Sequence, residues 1–304
     1  MTLVNIFYPF DKILIIYSLL MILLIITFGH PLTDNLDEIL LYLLAAAVSF
    51  LIAMFVDESK GRLAMLVRLI YTGLLFALFY RITGGTMFLL FDGFLDYQLI
   101  GFEYAMFGVS PTLYIDEHLL TPAVTEILSF CYFCYYPMVP VFMFSLYFKR
   151  DYETLKHFLA AAALTYTVSF LLFFLYPIEG PRWHFAGQYL NQIDGYFFRY
   201  LVEVVIDNGA VRGGCMPSSH TGIAILIMMY CFKHYPLWGR ILLPIVIGLS
   251  LGTIWGRFHY ISDVYVGAAI AVAAYFLVQK KYPDWAAGEY ELSNEQKLKA
   301  DYVS

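Results

Sequence analysis

The chain has 304 residues, of which 61% are hydrophobic, 19% aromatic and 14% charged, with a formal net charge of -6; its mean hydropathy is +0.70. Soluble domains carry roughly 25% charged residues, so the composition excludes an ordinary water-soluble globule and points to a chain that sits in a bilayer. The net charge says little about partners, because charge is compartmented by loop, and no nucleic-acid partner is expected.

A bilayer span needs about 20 mostly apolar residues. By that ruler the sequence predicts an all-α, polytopic membrane helix bundle of about eight transmembrane helices, near residues 13–28, 39–56, 64–80, 127–148, 158–176, 221–232, 241–255 and 264–278. The sixth is short and begins as early as Ser218. The first has no small-residue cleavage site after it and reads as a retained helix. Arg68, inside the third, is expected to snorkel to the cytoplasmic side.

Lys12, Lys60, Lys149, Lys156, Lys233, Lys280, Lys281, Lys297 and Lys299 all fall on one side of this arrangement. Lys and Arg concentrate in short cytoplasmic loops, so both termini are expected in the cytoplasm. The opposite loops carry mainly Asp and Glu, with Arg182, Arg199, Arg212 and Arg257 as nearly their only cations. Cations kept where topology disfavours them call for an anionic ligand on the extracytoplasmic or lumenal face.

No linker or internal repeat divides the chain, so one membrane domain is expected. Two long connections lie on the outer side. Residues 91–124 suggest short interfacial helices or a cap, and within 185–208 Leu190, Ile193, Phe197, Leu201 and Val204 predict an amphipathic surface helix. Asp116, Glu117 and His118 read as a solvated loop, since consecutive residues point different ways. Cys131 and Cys134 lie i, i+3 within a span and read as packing, and Cys215 and Cys231 as small buried fillers. The tail, residues 283–304, is polar and carries no sign of chemistry.

Two segments carry chemistry. In Cys215-Met216-Pro217-Ser218-Ser219-His220, hydroxyls and free backbone amides converge on the start of an apolar helix, a place suited to an anion. In Arg257-Phe258-His259-Tyr260-Ile261-Ser262-Asp263, the histidine and the aspartate are four apart; on a helix they share a face, and a carboxylate can orient the imidazole.

Pro217-Ser218-Ser219-His220 and His259 with Asp263 resemble the second and third signature motifs of the type 2 phosphatidic acid phosphatase superfamily, with Gly180-Pro181-Arg182 in the place of the first. The resemblance implies a six-helix core over residues 63–282, preceded by two extra helices in residues 1–62. It also implies phosphoryl transfer without metal or cofactor. His259 attacks phosphorus, Asp263 holds its ring, and His220 protonates the leaving group. Ser218, Ser219, Arg182 and Arg257 bind phosphate oxygens.

The common first motif is Lys-x6-Arg-Pro, and here Leu175 stands where that lysine would fall; Arg212 and His184 are the candidate replacements. The third motif commonly has its arginine six before the histidine, where this chain has Thr253, with Arg257 two before His259. These departures look more like the branch containing inositol phosphorylceramide synthases.

The leading expectation is a lipid phosphate phosphatase, whose acceptor is water. The alternative is a phosphotransferase whose acceptor is a lipid alcohol, with Phe107 and Tyr114 expected to line a dry acceptor pocket. A transporter would spread charge through the spans near midplane, and a scaffold would not need both histidines with Asp263. Lipid substrate and bilayer are the expected partners, with the oligomeric state left open.

Overall fold

The computed structural model describes residues 7–56 and 61–286. Lys60, Lys297, Lys299 and the tail beyond Ala286 lie outside the described residues. Among the described residues, thirteen α-helices follow in order: α1 (Pro9–Phe28), α2 (Leu36–Phe55), α3 (Arg62–Thr86), α4 (Asp96–Phe107), α5 (Pro111–His118), α6 (Pro122–Phe133), α7 (Tyr135–Lys149), α8 (Tyr152–Leu175), α9 (Pro181–His184), α10 (Phe197–Gly209), α11 (Ser219–His234), α12 (Pro236–Trp255) and α13 (Ile261–Trp285). No strand occurs among the described residues, so the protein is an all-α membrane bundle.

Seven helical stretches among the described residues are long and apolar enough to cross a membrane: α1, α2 with the turn before it, α3, α6 with α7, α8, α12 and α13. The eighth expected span is α11. At 16 residues and 1.5 Å per residue it is about 24 Å long, shorter than the hydrocarbon core. It is held by protein instead: Ile223, Leu226, Ile227 and Tyr230 are buried, and it packs on α8, α12 and α13. Helix α8 is the central pillar and is buried along most of its length. Its Ala160, Ala161, Ala162 and Ala163 are all buried, and such small side chains let neighbouring helices approach closely.

The expected fourth span is two helices that meet at Cys134, with Pro140 inside the second. A proline lacks the N–H that would continue the ladder and bends a helix. Cys131 and Cys134 are free thiols. Cys131 lies where a Cβ on Gly248 would meet its Sγ at 2.5 Å, so it serves close packing of α6 on α12.

Arg68 does not snorkel. It is 1% exposed and pairs with buried Asp11 at 2.6 Å, while giving further hydrogen bonds to the carbonyls of Val56 and Ala53. A fully partnered buried ion pair substitutes for water, so the side chain has no need to reach the surface.

Helices α4 and α5 occupy the first long connection. In the second, Leu190 and Ile193 precede α10 in irregular backbone, and the helix begins only at Phe197. Its start is set by Glu126, which accepts from the backbone N–H groups of Tyr196, Phe198 and Arg199 at 2.8, 2.7 and 3.2 Å. Those amides have no intrahelical acceptor, and a carboxylate at a helix N-terminus satisfies them.

Candidate active site

Helix α12 ends in a Schellman turn: Phe258 N–H donates to the Thr253 carbonyl at 2.9 Å, and Arg257 N–H to that of Ile254 at 3.0 Å. Arg257 takes the left-handed position of this turn, with φ 63°, where glycine is usual. His259 lies between the two helices, and α13 starts two residues later. The histidine and Asp263 therefore do not share a helix as the spacing predicts. Asp263 is the third residue of α13 and accepts from Tyr260 N–H at 2.7 Å, and the turn brings His259 Nδ1 to 3.4 Å from its Oδ2. Both side chains are buried.

Ser218 caps α11. Its hydroxyl accepts from Thr221 N–H at 3.4 Å and donates to Thr221 Oγ1 at 3.1 Å, and its own N–H donates to the Asp263 carbonyl at 2.9 Å. The second and third motifs are thus joined backbone to backbone. Gly267 permits this, since a Cβ there would lie 2.2 Å from the Ser218 carbonyl oxygen. At the second residue of α11, the His220 ring stands 6.1 Å from that of His259 and 4.5 and 5.5 Å from those of Tyr135 and Tyr132. Its Nδ1 is buried and has no hydrogen-bond partner among the described residues. Ser219 is buried beside it.

The third part is organised by α4. Asp96 accepts from the N–H groups of Glu179 and Gly180 at 2.7 and 3.0 Å and from the Tyr260 hydroxyl at 2.9 Å. Seven residues on, Glu103 accepts from Ser262 N–H and Oγ at 2.7 and 2.9 Å, and burial raises its carboxyl above the ordinary range. One face of α4 therefore fastens the Gly180 segment to the start of α13. Asp116 is not in a solvated loop: it is 3% exposed on α5, pairs with Arg257, and accepts from Leu190 N–H at 2.8 Å. Glu117 and His118 beside it are exposed.

Cys215 is no mere filler. Its Sγ donates to Asp263 Oδ2 at 2.8 Å and lies 3.7 Å from His259 Nδ1. Burial pushes the thiol well above its ordinary range, with the Asp263 charge adding to the effect, so it stays a protonated donor. Cys215, His259 and Asp263 are also a group whose donor atoms lie close enough to hold a metal ion. A metal would need the thiolate and the carboxylate oxygen that the S–H bond already occupies.

A cavity of about 60 Å³ lies over the histidines, lined by His259, His220, Arg182, Cys215, Tyr132 and Phe258 among others. Of the expected phosphate-binding residues, Arg182 lines it. Arg182 is held by Glu203 at 2.8 Å and Asp207 at 2.9 Å. Arg257 instead faces an adjoining groove of about 770 Å³, which Arg182 and Arg199 also line. Arg212 is 62% exposed and pairs with Glu179, to which His184 approaches at 4.0 Å. Phe107 and Tyr114 are exposed and line neither space.

The sequence reading missed Cys215, Asp96 and the tyrosines around His220. The seven-residue spacing of Asp96 and Glu103, one helix face in an otherwise apolar segment, is a signal for the pair on α4. Nothing local marks Cys215, which meets Asp263 from 48 residues away.

Residues 98–277 match the family model of the PAP2 superfamily. The match runs from α4 into α13 and leaves α1 to α3 ahead of it. A PA-phosphatase related-family protein of Dictyostelium discoideum is 26% identical over 40% of this chain and 22% of its own length. A phosphoinositol dihydroceramide synthase of Bacteroides thetaiotaomicron is 24% identical over 60% of this chain and 66% of its own length. The chain thus spans about a fifth of the first relative and just under two thirds of the second. No solved structure matches the chain.

Proposed function

Because the chain belongs to the PAP2 superfamily, we propose that it is an integral membrane enzyme that hydrolyses or transfers the phosphate-bearing group of a lipid through a covalent bond to His259. The observation that carries this is the pairing of His259 Nδ1 with Asp263 Oδ2 at 3.4 Å, which leaves Nε2 for the cavity shared with Arg182 and His220. In the first step the Nε2–P bond forms and the P–O bond to the leaving alcohol breaks, that oxygen taking a proton from His220. In the second, the acceptor oxygen bonds to phosphorus, the P–N bond breaks, and the acceptor proton goes to His220. Arg182 turns from its carboxylates towards the phosphoryl oxygens, whose developing charge a guanidinium stabilises. Ser219 supplies a first-turn amide of α11, Ser218 caps that turn, and Arg257 and Arg212 act from the rim. No metal is needed, since the cation and the acid are side chains.

Water as acceptor gives a phosphatase, the reading favoured by sequence alone. The length of the match to the synthase favours a lipid alcohol as a second reading. The core is proposed as α3 to α13, with α1 and α2 added. Helix α3 belongs to it because Tyr80 lines the cavity and its hydroxyl accepts from Val211 N–H at 2.9 Å. The site is proposed to face away from the cytoplasm, as the lysine pattern suggests. The test is a substrate panel given to purified protein: phosphatidate alone, and phosphatidylinositol with ceramide, scoring free phosphate and new phospholipid. His259→Ala abolishes every product if the reading holds; activity within tenfold of wild type sinks it.

A further inference from the structure

The cavity over the histidines is poor in donors for the charge it would hold. Among the described residues that line it, Arg182 is the one arginine or lysine, and Trp183, Ile206, Phe258 and Glu179 make up much of the remaining wall. Glu179 is itself engaged by Arg212. A phosphoryl group in transfer spreads its charge over three equatorial oxygens. In a mostly apolar wall each donor aimed at them counts for more than it would in water.

Tyr80 offers a donor that neither motif contains. It belongs to α3, ahead of the residues that match the family model, yet its side chain lines this cavity. Its hydroxyl oxygen accepts from Val211 N–H at 2.9 Å, which ties the phenol to the turn leading into Cys215. Val211, Gly214 and Cys215 line the same cavity, and a Cβ on Gly214 would lie 3.5 Å from Tyr80 Cε2. A phenol has one proton to give and two lone pairs with which to accept. Val211 uses a lone pair, and among the described residues nothing accepts the proton. The other tyrosine of this wall differs, because the Tyr132 hydroxyl interacts with that of Tyr136.

We propose that Tyr80 is a phosphate-binding residue, whose O–H donates to a phosphoryl oxygen at His259 while Val211 N–H holds the phenol oxygen in place. This rests on the reading of the cavity as the phosphate site. No proton leaves the phenol: it gives a hydrogen bond to charge on the phosphoryl group, and acid and base work stays with His220. Helix α3 then supplies part of the catalytic machinery from outside the matched residues.

The experiment measures the affinity of orthovanadate, which mimics pentacoordinate phosphorus, for the purified full chain at about pH 7, where phenols are protonated. Wild type, His259→Ala, Tyr80→Phe and a chain with Tyr80 replaced by 3-fluorotyrosine are compared. Wild type is expected to bind, and Tyr80→Phe to bind about tenfold more weakly, as loss of a hydrogen bond to a charged group implies. The fluorinated phenol is more acidic, so it donates better and accepts worse. It is expected to bind orthovanadate at least as tightly as wild type. Weaker binding by the fluorinated chain overturns the proposal, because the oxygen would then matter only as the acceptor for Val211 N–H; this holds even where Tyr80→Phe fails to fold. Binding by Tyr80→Phe within twofold of wild type also overturns it. Absence of binding by wild type, or equal binding by His259→Ala, overturns the phosphate site itself and the place of Tyr80 in it.

Discussion

Cys215 Sγ lies 2.8 Å from Asp263 Oδ2, the same carboxylate oxygen that faces His259 Nδ1 at 3.4 Å. One oxygen thus serves a thiol, an imidazole and the Tyr260 amide, and the thiol helps fix where the carboxylate points. Removing a donor from a buried charged acceptor costs about 1.5–3 kcal/mol. Cys215→Ala is therefore expected to lower the apparent Tm in detergent and reduce kcat about tenfold, and Cys215→Ser, which keeps a donor, to recover most of both. Equal behaviour of the two variants would show that the thiol only fills space.

Arg257 occupies the left-handed position that ends α12, at φ 63°, where a side chain costs roughly 1–2 kcal/mol relative to glycine. Both Arg257→Ala and Arg257→Gly lose the pair with Asp116, so their difference isolates the backbone. Arg257→Gly should be the more stable by about 1 kcal/mol, read from denaturant midpoints, with activity reduced alike in both. Equal midpoints would mean that the turn carries no strain at this residue.

Burial raises the Glu103 carboxyl above its ordinary value of 4.5. The folded state then holds a proton more tightly than the unfolded state, so this group's contribution is fully present at low pH and is lost as pH rises through the raised value. Glu103→Gln keeps an oxygen for Ser262 and removes the charge. Its apparent Tm relative to wild type should rise as pH increases above 4.5. A difference that is flat or falls with pH contradicts the burial argument.

Activity should persist in excess EDTA. The Cys215, His259 and Asp263 group is close enough for a metal, but its thiol is protonated and its carboxylate oxygen already taken. Inactivation by the chelator, reversed by adding back a divalent cation, would require a metal-dependent route.

Much of this was legible from local pattern. Apolar length marks the spans, and serine, proline and histidine at helix starts mark the motifs, because capping and anion binding are properties of a few consecutive residues. The contacts that arm the motifs are not local. Asp96 reaches Tyr260 across 164 residues and Asp116 reaches Arg257 across 141, and no periodicity encodes such pairs. Arg68 and Asp116 were misjudged for the same reason: a charge looks solvated until its distant partner is known.

Gly267 offers the sharpest test of how the motifs are joined. A Cβ there would meet the Ser218 carbonyl oxygen at 2.2 Å, its carbon at 3.0 Å and its nitrogen at 3.2 Å. All three are backbone atoms at the start of α11 and have no rotamer by which to yield. Gly267→Ala must push α13 away from the Ser218 turn and strain the Ser218 N–H bond to the Asp263 carbonyl. A misplacement near 1 Å at a reacting centre can cost about 100-fold, so kcat is expected to fall by about that factor while the protein remains inserted. Gly101→Ala, where a Cβ meets nothing within 4 Å, is the matched control and should stay within twofold of wild type. Near-normal turnover in Gly267→Ala would mean that the spacing of His220 and His259 does not depend on the contact between α11 and α13.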